Sequence, residues 1–550
     1  MRRKIAIRDY IICFLLAAAI SAAPYYIRDG VCRIDLSFVL SALAVFVILA
    51  VFFCSVRAAI AACVCQSAEK LPASDIMFSR RYSLVLLALI ILVCWTPVLT
   101  VLYPGTAIND SWGQLKQYIR FSNGENALYD HHPVFVTLIM GKTIMTLQAI
   151  TGNLQSAFFI YVLLQAVFTS FAFSASILYA YRKLEIGKCA ALCMLFLYCV
   201  LSVFPTSVQT ISKDAFSAWL FVLFELLFIE GVRTGGEIFS DFRYLLLITL
   251  LGLLCSLTKK VNTYVVLLSL TGLFIFVPKK RGWLIIPVVV ISGIMLAGMP
   301  KILETNNIRF GGKQEMLSIP FQQTARYVKE HPDDITEEEY RIIDKLLNMS
   351  DLAERYNAIN ADAVKGYHER GTKNTYIQYI KVWIAQGIRH PQCYIDAFNS
   401  MIAGWFSFSE YDPLMSMNWH NQLDNSLIPE ENTKRHGIFA KTAESYRLFY
   451  DSLYENSLLR FLFSYNTYAV IIPAFTVSTL FGDIKQRKRR LWIAALPILF
   501  SLFLGCFLAP LSIHFEGRRY LYPLTYTMPV MLSLCVFAIR EQFCQSAEVK

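Results

Sequence analysis

Many apolar runs of about 18 residues recur along this 550-residue chain, each long enough to cross the roughly 30 Å hydrocarbon core of a bilayer. Hydrophobic residues make up 56% of the sequence and charged residues only 17%, too apolar a balance for a soluble protein of this length. The expected fold is an all-α polytopic membrane protein. Candidate spans are 10–27, 36–56, 82–103, 156–181, 188–205, 215–232, 243–258, 261–278, 283–299, 459–481, 491–511 and 519–538, about 12 transmembrane helices.

The stretch 133–150, PVFVTLIMGKTIMTLQAI, is ambiguous, because Gly141, Lys142 and Thr143 interrupt its apolar run. Charge decides between the readings. If it does not span, both termini are cytoplasmic and the inside loops collect Arg2, Arg3, Lys4 and Arg8, then Arg57, Lys70, Arg80 and Arg81, and later the KKR and KQRKRR clusters. If it spans, every later loop flips and those clusters face outward, against the positive-inside bias. The stretch is therefore expected on the membrane surface, as an interfacial or re-entrant pair of short helices. The net charge of +11 is explained by these loops, and no nucleic-acid partner is expected. The 14 cysteines lie mostly within apolar runs, where Cys is a small hydrophobe, and no paired CxxC metal spacing occurs.

This topology divides the chain into two helices and a cytoplasmic loop (1–81), a membrane module (82–300), a mainly helical extracytoplasmic domain (301–458) and three C-terminal spans (459–550). Within 301–458, Thr336 with Glu339 forms a capping-box pattern, Asp351 with Glu354 marks a second helix start, and Ile377, Ile380, Ile384 and Ile388 share one helical face. The aromatics Trp405, Phe406, Phe408, Tyr411 and Trp419 suit either sugar stacking or an interfacial belt.

Polar residues that could do chemistry gather on the outer side. Asp110 follows the third span in YPGTAINDSWGQLKQYIRFSNGENALYDHHP, either as the N-cap of a helix carrying Trp112, Leu115 and Ile119 or as a general base. His131 and His132 precede Pro133, which is well placed to begin a helix. They could take phosphate, or join Asp110 as candidates for a divalent metal, although a metal needs three or four ligands. Lys213 and Asp214 open a span, where an ionisable pair is costly unless solvated or paired. Lys259-Lys260 and Arg518-Arg519 place positive charge at outer helix ends, as a lipid phosphate would require, and His514 and Glu516 lie in the same last loop.

These features resemble the multi-span GT-C glycosyltransferase superfamily, which includes protein O-mannosyltransferases and the aminoarabinose transferases of lipid A. The resemblance rests on Asp110 after an early span, His132-Pro133 at a surface helix, Asp214 opening a later span, and Gly-Arg-Arg-Tyr-x-x-Pro at 517–523. Uncharacterised bacterial multi-pass proteins share the Tyr-Pro-Gly…Asn-Asp, His-His-Pro and Ser-Lys-Asp pattern. The chain departs from the superfamily in having Asn109-Asp110 rather than Asp-Glu and two extra N-terminal spans. The likeness covers mainly 82–300 and 491–540. It implies surface helices in the first outer loop and inverting transfer, on the outer face of the cell membrane, from a polyprenyl-phosphate sugar to a glycan, lipid or protein acceptor. Asp110 would be the base, with Lys213, Arg518 and Arg519 holding the donor phosphate; Asp214 is the second catalytic candidate, and His131 and His132 are assigned to donor phosphate or metal without a choice between them. Two other readings stay open. One is a polysaccharide polymerase or ligase using polyprenyl-pyrophosphate glycans. The other is a non-enzymatic lipid-linked sugar flippase or transporter, to which Glu225, an acid within a span, would belong.

Overall fold

The computed structural model describes residues 7–66, 77–126, 128–277, 281–365, 372–408, 438–481, 491–509 and 517–548. His514, Glu516, Tyr411, Trp419 and the KQRKRR cluster lie outside the described residues. Eight helices among the described residues are long and apolar enough to cross a membrane, and five more are apolar but shorter. With only two-residue strand pairs beside them, the fold is that of an all-α membrane protein.

In chain order the first half runs α1 (Ile7–Asp29), α2 (Leu36–Gln66), α3 (Ser83–Val101), β1 (Thr106–Ala107), α4 (Asn109–Ser122), β2 (Tyr129–Asp130), α5 (Val134–Thr151), α6 (Leu154–Arg182) and α7 (Lys188–Val200). It continues through α8 (Val203–Val208), β3 (Thr210–Ile211), α9 (Lys213–Arg233), α10 (Phe242–Thr258) and α11 (Lys260–Phe276). Helix α9 is the hub. Ala215, Ala218, Phe221, Phe224 and Phe228 are all fully buried, against α6, α10 and the last helix of the chain. Peripheral α2 instead exposes Leu40, Leu43, Val47, Ile48 and Val51, a continuous apolar flank that water would penalise and lipid would not.

Helix α5 corrects one expectation. Residues 134–151 form a single uninterrupted helix, not a pair of short ones. Gly141 does not break it; a Cβ there would sit 2.2 Å from Tyr118 Cγ, so the glycine is where α4 packs closely on α5. Both ends of α5 lie at the same end of the bundle. His132, just before it, bonds Lys213 at the start of α9. Gly152 and Asn153 then lead into α6, whose Phe158 and Phe159 rings lie 5.3 Å from Trp112 and 5.1 Å from Tyr103. From there α6 returns antiparallel to α3, ending where Arg182 donates to the carbonyls of Phe78 and Arg80. By length and composition α5 is itself one of the eight helices able to cross a membrane.

Glu225 is fully buried in α9, and its carboxylate oxygens have no hydrogen-bond partner among the described residues. Leaving a buried polar group unpaired costs about 1–3 kcal/mol. Glu225→Leu is therefore expected to raise the thermal midpoint of the detergent-solubilised protein, and an unchanged or lower midpoint would show that the carboxyl is satisfied there.

After α12 (Gly282–Thr305) and β4 (Arg309–Phe310), the 301–458 segment is mainly helical among its described residues. Its helices are α13 (Ser318–Glu330), α14 (Glu337–Leu347), α15 (Lys373–Arg389) and α16 (Pro391–Phe406). Phe321, Ile343, Leu347, Leu352 and Tyr379 form its own core. The capping box of Thr336 and Glu339 is made, while Asp351 stands before a one-turn helix without capping it. The domain is tied to α1: Tyr26 donates to Asp396 Oδ1 at 3.1 Å and Arg326 donates to the Gly30 carbonyl at 2.8 Å. The later helices are α17 (Ile438–Glu455), α18 (Thr467–Leu480), α19 (Leu491–Phe507) and α20 (Gly517–Glu541).

Candidate functional site

Two short parallel pairings set the site. Thr106 and Ala107 of β1 face Thr210 and Ile211 of β3, which brings the chain just before α4 beside the chain just before α9. Gln165 of α6 donates to the Val208 and Thr210 carbonyls at 2.6 and 3.0 Å, and Gln209 donates to Thr106 Oγ1 at 3.0 Å. Gly105 makes the approach possible. Its φ is +109°, and a Cβ would stand 2.7 Å from Val162 Cγ2 and 3.0 Å from the Gln209 carbonyl. The register fixes Asp110, in the first turn of α4, beside Lys213 and Asp214, in the first turn of α9.

Asp110 is not an N-cap. Ile108 occupies that position, and the Asp110 carboxylate is turned to cations instead. Lys213 Nζ donates to Asp110 Oδ2 at 2.9 Å, and Arg519, from the start of α20, bonds the same oxygen. His132 Nε2 stands 3.8 Å from Asp110 Oδ1, while its Nδ1 is 2.8 Å from Lys213 Nζ. With Lys213 as the donor, that bond fixes Nδ1 as the unprotonated nitrogen. Arg519 also lies 3.8 Å from Asp214 Oδ2, and Lys259 Nζ is 2.7 Å from Asp214 Oδ1, an ion pair without hydrogen-bond alignment. Lys213 and Asp214, adjacent in sequence, thus have different partners. Tyr520 closes the group, its ring centroid 5.1 Å from Lys259 Nζ and 5.4 Å from the Arg519 guanidinium.

Lys213, Lys259 and Arg519 against Asp110 and Asp214 leave one positive charge over when His132 is neutral. Asp214, Lys259 and Arg519 are buried, whereas the Asp110 side chain is 22% exposed, so the network opens to solvent at Asp110. Burial alone would raise the Asp110 carboxyl, but the charges of Lys213 and Arg519 outweigh it and hold the group well below the carboxylate range. Burial, with Lys213 beside it, pushes His132 down to about 3. Its folded value lies below the ordinary 6.5, so between these values the folded chain binds fewer protons than the unfolded one. The His132 contribution is full above about pH 6.5 and is lost as pH falls toward 3. Asp110 acts in the same direction below about pH 4. His132→Gln is expected to flatten the fall of thermal midpoint between pH 6.5 and 4; an unchanged slope would place the titration elsewhere.

His131 turns away from this group. It stacks on Tyr129, with ring centroids 6.0 Å apart, and its Nδ1 is 3.9 Å from Glu315 Oε1. Glu315 in turn pairs with Lys365 at 2.5 Å, so the His131–Glu315 contact links the 301–458 segment to the loop that carries the histidines. Lys260 pairs with Asp130 at 2.7 Å, not with Asp214. Arg518 is half-buried one residue before Arg519. The structure therefore gathers Asp110, His132, Lys213, Asp214 and Arg519 and adds Lys259. Glu315 and Lys365 had no sequence signal, because nothing in 301–458 marked which residues come near the loop that carries His131. The ligand atoms of Asp110, His131 and His132 do not converge as a metal cluster; among the described residues the metal-capable groups lie within 301–458. Beside Tyr129, a cleft of about 680 Å³ is lined by Lys116, Gln117, Arg120, Asn126, Leu128 and Arg309.

Fold and site together define an all-α membrane protein with a buried, net-positive ion-pair network at one end of its helix bundle. Residues 121–548 match a family described as a family of unknown function (DUF6020), and the chain belongs to that family. No curated protein and no solved structure matches it.

Proposed function

We propose that the chain is a membrane glycosyltransferase that moves a sugar from a polyprenyl-phosphate donor to an envelope glycan, lipid or protein acceptor on the outer face of the cell membrane. The observation that supports this most is the meeting of Asp110 and Asp214 on Arg519, with Lys213 and Lys259 completing the group. In this reading the protein crosses the membrane twelve times, α5 lies on the surface, both termini are cytoplasmic, and the site is extracytoplasmic.

A carboxylate held by Lys213 and Arg519 is a weak base, since a useful general base titrates near the working pH. A donor phosphate changes that. Its oxygens compete for Lys213 and Arg519, with Arg518 and His132 nearby, and free Asp110 as they bind. Asp110 then takes the proton of the acceptor hydroxyl as that oxygen bonds to the anomeric carbon. The bond from that carbon to the phosphate oxygen breaks, and the electron pair leaves with polyprenyl phosphate, whose charge the cations stabilise. Asp214 keeps Arg519 and Lys259 in place. The basic cleft beside Tyr129 offers the acceptor a polar approach.

Polyprenyl monophosphate is expected to bind the purified protein, and Lys213→Met to weaken binding about tenfold, the worth of one charge-assisted hydrogen bond. Equal binding by both proteins would remove Lys213 from the donor site. The flippase reading draws on the unpartnered Glu225 alone. A polymerase or ligase would use the same outer cations on a pyrophosphate and depend on the 301–458 domain rather than on Asp110.

A further inference from the structure

Two His-Pro junctions of the outer domain come together away from the ion-pair network. His331-Pro332 ends α13 and His390-Pro391 joins α15 to α16. Their imidazole rings stack with centroids 3.7 Å apart and planes 18° from parallel. Asp334, three residues past His331, places Oδ2 2.6 Å from His390 Nε2, and its backbone carbonyl accepts from Arg389 at 2.9 Å. One donor atom from each of His331, Asp334 and His390 lies within 4.8 Å of the other two.

Two groups here are left without partners. No described residue hydrogen-bonds or ion-pairs with the His331 ring, although its neighbour His390 is engaged. Tyr327, fully buried with its ring 5.4 and 5.5 Å from the two imidazoles, has a hydroxyl with no hydrogen-bond partner among the described residues. Buried polar atoms are nearly always satisfied, so the orphan hydroxyl of a tyrosine whose ring packs on both imidazoles is an exception that calls for a polar partner.

The geometry points to a divalent transition-metal site, of the borderline class typified by Zn²⁺, formed by His331, Asp334 and His390. Two neutral imidazoles and one carboxylate are a donor set that such ions favour, with a further position left for water; because the lone pairs of stacked rings run nearly parallel, one imidazole turns out of the stack to share the ion. The ion replaces the hydrogen bond that now joins His390 and Asp334, and a neutral His390 ligating through Nε2 keeps its one proton on Nδ1. The ion ties the end of α13 to the α15–α16 corner. Because α16 and Arg326 of α13 also hold α1, the ion braces the domain where it meets the bundle. This site is independent of the glycosyltransferase reading.

The test uses untagged full-length protein in detergent, stripped with chelator and dialysed against micromolar Zn²⁺. About one zinc per chain is expected by elemental analysis, and the His331→Gln/His390→Gln double variant is expected to lose it. Asp334→Asn, the milder change, is expected to bind at least tenfold more weakly and serves if the double variant does not fold. Co²⁺ loaded in place of zinc is expected to show visible d–d absorption without a thiolate charge-transfer band. Absence of zinc from the wild type, or zinc retained by the variants, would overturn the site. A thiolate band abolished by Cys393→Ser would also overturn it, by moving the ion to the neighbouring Glu330, His331 and Cys393.

Discussion

Asp110→Asn is expected to abolish sugar transfer while leaving the protein folded and inserted. The side chain keeps its size, but an amide cannot take the proton of an acceptor hydroxyl, and loss of a positioned general base costs about 10²–10⁴-fold in rate. The change also removes one of the two carboxylates that Arg519 and Lys213 neutralise, so donor affinity is expected to hold or rise as kcat falls. Retained transfer with weaker donor binding would make Asp110 part of the scaffold rather than the base.

Arg519→Met is expected to be the most destabilising single substitution at the site. The guanidinium is buried and stands between Asp110 and Asp214, so methionine leaves both carboxylates with less compensation. Breaking a buried ion pair by removing one partner costs about 3–5 kcal/mol, chiefly because the other charge stays behind. The double variant Arg519→Met/Asp214→Asn is therefore expected to recover more than half of the lost stability while remaining inactive. A double variant as unstable as the single one would show that Arg519 contributes through packing rather than charge. Thermal unfolding of the detergent-solubilised proteins distinguishes the two.

Much of this arrangement could be read from residue types and spacing. Apolar run length marked the helices; the distribution of Lys and Arg argued that 133–150 does not span, whereas the helix it forms is long and apolar enough to do so. The charged positions at helix ends were visible because ionisable residues at span ends are costly unless paired. What the sequence concealed is which charge meets which. Lys213 and Asp214 read as a neighbouring pair, yet successive residues in the first turn of a helix point in different directions, and each finds its partner on another segment. Lys259 drew notice only for its charge; its pairing with Asp214 depends on the packing of α9 on α10. His131 and His132 read as one motif, but the chain entering α5 turns one toward Asp110 and the other toward Glu315. Glu315 and Lys365 come from a domain whose fold alone places them near that loop.

The most direct measurement is release of polyprenyl phosphate from a defined polyprenyl-phosphate sugar by the full-length protein in proteoliposomes, with a cell-envelope extract as acceptor. Time-dependent release coupled to appearance of the labelled sugar on an acceptor, and loss of both in Asp110→Asn, is the expected result. No release above protein-free liposomes from any polyprenyl-phosphate sugar supplied, or equal release by Asp110→Asn, would contradict the assignment.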